Sequence, residues 1–341
     1  MDTLLGIGLI LMGGIAAASF YTPFKKVQSW SWESFWLVHA FMAYIFAPWF
    51  FALITVPWGE IPGIISSTPD RVKWLIILFG AIWGIGGFTF GLGIRYLGIG
   101  LGMSTTLGFT AAFGTLIPPL VAGNNLFSTS SGILTVIGVI VCLTGISVVG
   151  YAGYLKEQQL SRAERNKAVA EFALRKGILI AVFAGVMSAS MNYGFEAGKP
   201  MAEVARQHGT HPLYANSIVL IYILMGGFVT TFIYCLYLNI KNGTIKDYRN
   251  VERRVFLRNV FFCFAAGFLW FLEFQFYGMG LGQLPAGVSV FGWSILMAGE
   301  ISASNIWGFF LKEWEGVGTR TLRVLFTGIL ILIFSTFIIL F

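Results

Sequence analysis

WGIGGFTFGLG, residues 83–93, returns late in the chain as WFLEFQFYGMG, residues 270–280, with Trp83 and Trp270 leading and Gly91, Gly93, Gly278 and Gly280 at matching positions. Each copy lies inside a long apolar run. A helix that crosses the hydrocarbon core of a bilayer needs about 20 mostly apolar residues, because no water is there to satisfy its backbone. Working outward from the repeated words, ten runs meet that requirement: 3–22, 34–57, 73–96, 100–122, 132–151, 177–198, 213–238, 256–281, 285–311 and 322–341. The repeated words occupy the third and eighth runs. A weaker match, GIAAAS at 14–19 against GVMSAS at 185–190, joins the first and the sixth. Both matches are offset by five runs, so the chain divides into two five-helix halves, residues 1–155 and 176–341, joined by a cytoplasmic linker at 156–175. An odd number of spans makes the second half enter the membrane from the opposite side. Inverted halves of this kind mark secondary transporters, whose substrate site lies near the midplane where the halves meet. The expected fold is therefore an all-α integral membrane protein with ten transmembrane helices, built as two inverted five-helix repeats within one transporter domain.

Composition supports the same class. Of the 341 residues 57% are hydrophobic and 11% charged, whereas soluble domains carry about 25% charged residues. The first run has no positive n-region and no small-residue cleavage site before a soluble domain, so it is expected to remain in the protein. Cys142, Cys235 and Cys263 fall inside apolar runs, where a thiol acts as a small hydrophobe; no disulfide, metal or cofactor is expected. Of the 22 Lys and Arg residues, 18 follow odd-numbered runs. Positive flanking residues stay on the cytoplasmic side, which places both termini in the periplasm. The net charge of +7 thus orients the chain and meets anionic lipid, and no nucleic-acid module accompanies it.

Polar residues inside the runs are the candidates for function, since an ionisable group within a membrane is costly and faces a cavity or a partner. Glu273 and Glu300 stand out. They lie about 22 Å and about 18 Å along their helices from the nearest flanking cations, Arg258 and Lys312, at about 1.5 Å rise per residue. Both are expected near mid-depth on antiparallel neighbours joined by the turn Gln283-Leu284-Pro285. Two carboxylates in a poorly solvated site favour retention of a proton by at least one of them, so they are the expected proton-coupling pair; a hydrogen bond to a neighbouring helix is the competing reading for each. His39, in the second run, is the next proton-coupling candidate, against the plainer reading of a buried structural histidine. Gln275, Asn305, Ser302 and Ser304 add polar capacity nearby. Trp83, Trp270 and Trp293 fall within runs rather than at their ends, and flat aromatic faces suit the C–H faces of a sugar ring. Trp83, Trp270, Gln275 and Asn305 are therefore the expected substrate-binding residues. Asn192 and Glu196 share a helix face, with Glu196 set to pair with Lys199; His208 and His211 read as solvated loop residues. The pairs Gly80–Gly84, Gly87–Gly91 and Gly98–Gly102 read as helix-packing seams.

Pro23 breaks the first helix within the word FYTPFKKV at 20–27, which is followed by WSWE at 30–33. Further words are FGAIWG at 79–84, RYLG at 95–98, KPM at 199–201, PLY at 212–214 and LKEW at 311–314. Together these resemble the L-rhamnose-proton symporter family of the drug/metabolite transporter superfamily, in the family's order along almost the whole chain. The resemblance implies ten helices in a bacterial cytoplasmic membrane and uptake of L-rhamnose with a proton. Lys25, Lys26 and Glu33 belong to the most specific words and follow the helix break, and are expected to form a charged cluster at the inward-facing gate; topology anchoring is the alternative. The other function readings are export or exchange of metabolites, or sodium-coupled sugar uptake. A membrane-embedded enzyme would need a convergent acid-base or metal constellation, and the sequence offers none. The expected partners are the sugar, a proton and membrane lipid, with no nucleic acid and no obligate protein partner.

Overall fold

Apolar runs of this length leave the backbone only its own hydrogen bonds, and each of them becomes helix. The computed structural model describes residues 2–97, 99–121, 123, 126–159, 174–312 and 314–338. Its long helices are α1 (Asp2–Ser19), α2 (Trp32–Thr55), α3 (Asp70–Leu97), α4 (Ile99–Val121), α5 (Ser130–Gln159), α6 (Leu174–Ala197), α7 (Ser217–Asn242), α8 (Arg253–Leu281), α9 (Gly292–Phe310) and α10 (Thr319–Phe337). α2 changes character along its length: Phe41–Phe46 is a π-helical segment between two α-helical ones. Among the described residues, nine of these helices are long and apolar enough to cross a membrane.

The exception is α9, which was expected to read like the rest. It carries Glu300, Asn305, Ser294, Ser302 and Ser304, and it begins only at Gly292 because Pro285 starts a separate short helix, Ala286–Ser289. Every residue from Phe291 to Gly299 is buried. A helix that faces protein rather than lipid need not be apolar, which explains its composition. α5 also departs from expectation. It continues to Gln159, and residues 160–173 of the expected linker lie outside the described residues.

The largest helix interfaces tie 1–155 to 176–341. α6 packs on α3 and α4, α7 on α3, α10 on α5, and α1 on both α8 and α9. The α3–α7 contact depends on missing side chains, as the Gly80–Gly84 spacing indicates. A methyl group at Gly80 would collide with the Ile223 carbonyl oxygen, and one at Gly226 with the Ile77 carbonyl oxygen. The other glycine pairs differ. Gly87 and Gly91 face open space, so they form no seam; Gly102 packs on the α3 backbone at Ile94, and Gly98 lies outside the described residues.

Candidate transport site

α1 lies between α8 and α9, and two adjacent glycines let it come close to both. A methyl at Gly13 would stand 2.7 Å from the Glu273 carbonyl oxygen, and one at Gly14 would stand 2.6 Å from the Glu300 amide nitrogen. The two acidic positions are thereby held at one depth on either side of α1. Equal depth follows the expectation from sequence, but direct neighbours they are not. α8 and α9 touch only slightly, because the connection through Gln283, Leu284, Pro285 and Ala286–Ser289 is long enough to let α1 in. Glu273 is buried and Glu300 half-buried, and their charges lie within reach of one another. Among the described residues neither carboxylate has a hydrogen-bond or ion-pair partner. Lys312 instead faces Glu315 at 3.9 Å, and the Arg258 guanidinium lies 5.8 Å from the centre of the Phe262 ring.

One turn from Glu273 along α8, the two repeat tryptophans meet. Trp83 and Trp270 are 6.3 Å apart between ring centres, with Tyr44 of α2 at 5.6 Å and 6.2 Å from them and Phe274 at 5.2 Å from Trp83. The expected amides do not complete this group. Gln275 donates to the Ser217 hydroxyl of α7 at 3.0 Å, and Asn305 donates to the Ile301 carbonyl of its own helix at 2.8 Å. Two residues along a helix turn a side chain through about 200°, so Gln275 points away from the face that carries Glu273. Ser302 is buried without a partner among the described residues. Trp293 sits elsewhere, donating to the Thr110 carbonyl at 3.2 Å and packing on Tyr277 at 5.2 Å.

Tyr277 leads to a network that sequence reasoning passed over. Its hydroxyl donates to Asn192 at 2.6 Å, and Asn192 donates to the Gly114 carbonyl at 2.8 Å, which links α8, α6 and α4. Spacing within one helix could only pair Asn192 with Glu196; the true partner is 85 residues away. Nearby, a cavity of about 360 Å³ is lined by Phe195, Glu196, Lys199, Arg206, Asn216 and Leu284, among others. The Glu196–Lys199 pair, 2.5 Å, stands at this cavity as expected. His208 is not merely solvated. Its Nδ1 is 2.6 Å from Glu60, which ties the short helices Lys199–Gln207 and Glu60–Ser67 together. His211 accepts from the Leu213 amide at 3.2 Å and caps a 3-10 turn.

At the opposite, basic end the α1–α2 loop docks on the α7–α8 loop. Glu33 accepts hydrogen bonds from Asn242 at 2.9 Å and Thr244 at 2.8 Å, while Lys25 and Lys26 are exposed. The hub is Asp247, a residue with no sequence signal. It accepts from the Ser31 amide at 2.8 Å and the Ser34 hydroxyl at 2.9 Å, and its carbonyl receives the Trp30 indole at 3.0 Å. Gln28 and Asn259 exchange two further hydrogen bonds. Burial works to raise the Asp247 carboxyl, but the Ser31 and Ser34 donors, with Lys246, hold it below the ordinary aspartate range. It is therefore ionised at any pH near neutrality, and the contact it adds is lost only as pH falls through that depressed value.

Comparison with known proteins adds the identity that geometry alone lacks. Residues 1–341 match the family described as L-rhamnose-proton symport protein (RhaT). The chain is 35% identical over 336 residues to the L-rhamnose-proton symporter of Escherichia coli (strain K12 / DH10B), covering 96% of this chain and 95% of that one. It is 36% identical, with the same coverage, to the L-rhamnose-proton symporter of Shigella dysenteriae serotype 1 (strain Sd197). With a family match along its whole length laid over a bundle of apolar helices, the chain belongs to the L-rhamnose-proton symport protein family.

Proposed function

We propose that this protein imports L-rhamnose, or a closely related deoxysugar, across a bacterial cytoplasmic membrane by symport with a proton. It is a transporter and not an enzyme. The observation that carries the reading is the family match over the entire chain. The structure supplies groups suited to it: an acidic pair at one depth, an aromatic group one turn away, a cavity at one end of the bundle and a hydrogen-bonded latch at the other.

The finer architecture in this reading is ten crossing helices as two inverted halves, 1–155 and 176–341, of drug/metabolite transporter type. Helix contacts support it. Exchanging corresponding helices of the two halves (α1 with α6, α3 with α8, α4 with α9) turns the α1–α8 contact into α6–α3 and the α1–α9 contact into α6–α4, and all four are among the extensive ones. α9, at 19 residues, has the length to cross by about 28 Å at 1.5 Å per residue. Both termini then face the periplasm. A reporter active only in the periplasm, fused after Phe341, is expected to be active; silence there, with a cytoplasmic reporter active at the same point, overturns the orientation or the span count.

Proton coupling rests on Glu273 and Glu300, with His39 the remaining candidate, and sugar contact on Trp83 and Trp270. Gln275 and Asn305 act at most through helix packing, given their bonded partners. Lys25, Lys26 and Glu33 form part of the inner gate, with Asp247 as the group that holds it shut. Purified protein in proteoliposomes should accumulate labelled L-rhamnose against its gradient when the outside is acidic, and an uncoupler should abolish this. In the same vesicles Asp247→Ala shifts the population toward the inward-open state and raises the apparent KM for uptake several-fold. Accumulation driven by sodium alone, or efflux without uptake, overturns the assignment; an unchanged KM in Asp247→Ala overturns the latch.

A further inference from the structure

His39 is fully buried in α2, and neither of its ring nitrogens has a hydrogen-bond partner among the described residues; the indole nitrogen of Trp270 is buried and unpartnered as well. Buried polar atoms without partners are rare, because desolvation is then uncompensated. Here three such atoms sit together. The His39 ring centre is 5.0 Å from that of Trp270, with Trp36 at 4.9 Å, Phe24 at 5.3 Å, Phe20 at 6.1 Å and Tyr44 at 6.3 Å.

The chain leaves His39 and Ala40 directly into the π-helical segment Phe41–Phe46. A π segment holds one residue more than the α-helix it interrupts, and such bulges gather at functional sites. Tightening it to α geometry turns the two sides of α2 against one another by about 100° and swings the His39 ring relative to Trp270. Opposite it, α8 is pressed close: a methyl at Gly267 would stand 2.7 Å from the His39 carbonyl oxygen and 2.9 Å from the Met42 Cβ. Movement in the π segment is thus transmitted to the helix that carries Trp270 and Glu273. Glu273, in turn, is within electrostatic reach of Tyr44.

We propose that the His39–Trp270 box is the subsite that recognises the transported sugar: His39 and Trp270 hydrogen-bond hydroxyls of a pyranose whose C–H face stacks on the surrounding rings, and the π-helical segment Phe41–Phe46 opens the box to admit it. A neutral imidazole brings one donor and one acceptor, and the indole a second donor. That set matches adjacent hydroxyl groups, and the aromatic walls suit an apolar edge such as a 6-deoxy methyl. His39 is on this account a sugar ligand beside Trp270, which stands one turn of α8 from Glu273, and is not itself the proton site. The inference rests on the sugar-transport reading above.

The test is equilibrium binding of L-rhamnose to purified protein in detergent, with thermal melting as a second readout, for the wild type, His39→Phe, His39→Gln and Trp270→Phe. His39→Phe removes unpartnered buried polar atoms, so its melting point should hold or rise, while affinity falls about tenfold or more for the lost hydrogen bonds. A rhamnose analogue lacking one hydroxyl should bind the wild type more weakly than rhamnose, and that difference should vanish in His39→Phe. A merely structural histidine would not remove it. Should His39→Phe fail to fold, Trp270→Phe, which removes the indole donor and keeps an aromatic ring, carries the same comparison, while His39→Gln, which keeps a donor and an acceptor, should retain part of the affinity. Unchanged affinity and unchanged analogue discrimination in His39→Phe, or in Trp270→Phe where His39→Phe does not fold, overturn the proposal. So does a His39→Phe protein that exchanges rhamnose with normal affinity but cannot accumulate it, since that is the behaviour of a proton carrier. Wild-type protein that neither binds nor transports rhamnose overturns the transport reading, and this one with it.

Discussion

Glu273→Gln is expected to abolish accumulation of L-rhamnose against its gradient while leaving exchange between two equally loaded compartments in place. Glutamine keeps the size and much of the hydrogen-bonding capacity of a protonated glutamate but can neither release nor rebind a proton. A symporter so altered still binds sugar and reorients, because its site is permanently neutral, but no ion gradient can drive it. Accumulation ratios should therefore fall to about one, since coupling free energy requires a differential interaction between the two states. Glu300→Gln separates the roles within the pair. If the two carboxylates share one transported proton across α1, either substitution uncouples; if Glu300 only tunes its neighbour, its variant accumulates sugar with a displaced pH dependence. Both variants should be made in the same vesicles, with counterflow as the control for folded, sugar-competent protein. Normal uphill transport with normal pH dependence in both would remove the acidic pair from the coupling mechanism.

Much of this arrangement was legible in the sequence, and the residues show where legibility stops. Hydrophobic length is a one-dimensional property, so the helices could be read directly. The exception is α9: its first half is buried from Phe291 to Gly299 and its second half carries Glu300, Ser302, Ser304 and Asn305, a polarity that a lipid-facing helix would not show. The depth of Glu273 and Glu300 could be counted from flanking cations at a fixed rise per residue. Which helix lies between them could not, because nothing in the spacing of Gly13 and Gly14 says what their missing side chains make room for. The repeat matches Trp83 with Trp270 in sequence but not in space; the 6.3 Å between their ring centres depends on how α3 and α8 lie in the fold, which no spacing records. Asp247 and the Asn192–Tyr277 pair left no trace, as each depends on a partner from a distant segment. Gln275 and Asn305 show a related limit: an intramembrane amide signals a satisfied hydrogen bond, but sequence does not say whether the partner is a substrate, a serine of α7 or the helix's own backbone, and here they bond to Ser217 and to the Ile301 carbonyl.

The α3–α7 seam gives the largest expected effect on folding. Gly80→Val places a Cβ and its two methyl groups where the Ile223 carbonyl already occupies the space the Cβ alone would need. Flexible side chains can move out of the way of a new methyl, but a helix backbone cannot without separating the helices. Overpacking in a tight core costs about 1–3 kcal/mol, and with rigid backbone on both sides the cost here should reach or exceed that upper value. Helices in lipid associate through close packing, with no hydrophobic drive between them to compensate. The consequence should reach function as well as assembly, because Trp83 leaves the same helix three residues later and α7 supplies Ser217 to Gln275. Gly87→Val is the matched control. It lies two turns along α3, makes the same chemical change in the same kind of helix, and faces open space. Folded protein recovered in mild detergent, measured by monodisperse elution and cooperative melting, should be nearly lost for Gly80→Val and close to wild type for Gly87→Val. If the two variants behave alike, propensity rather than contact governs α3, and the backbone-to-backbone seam is not what holds the two halves together there.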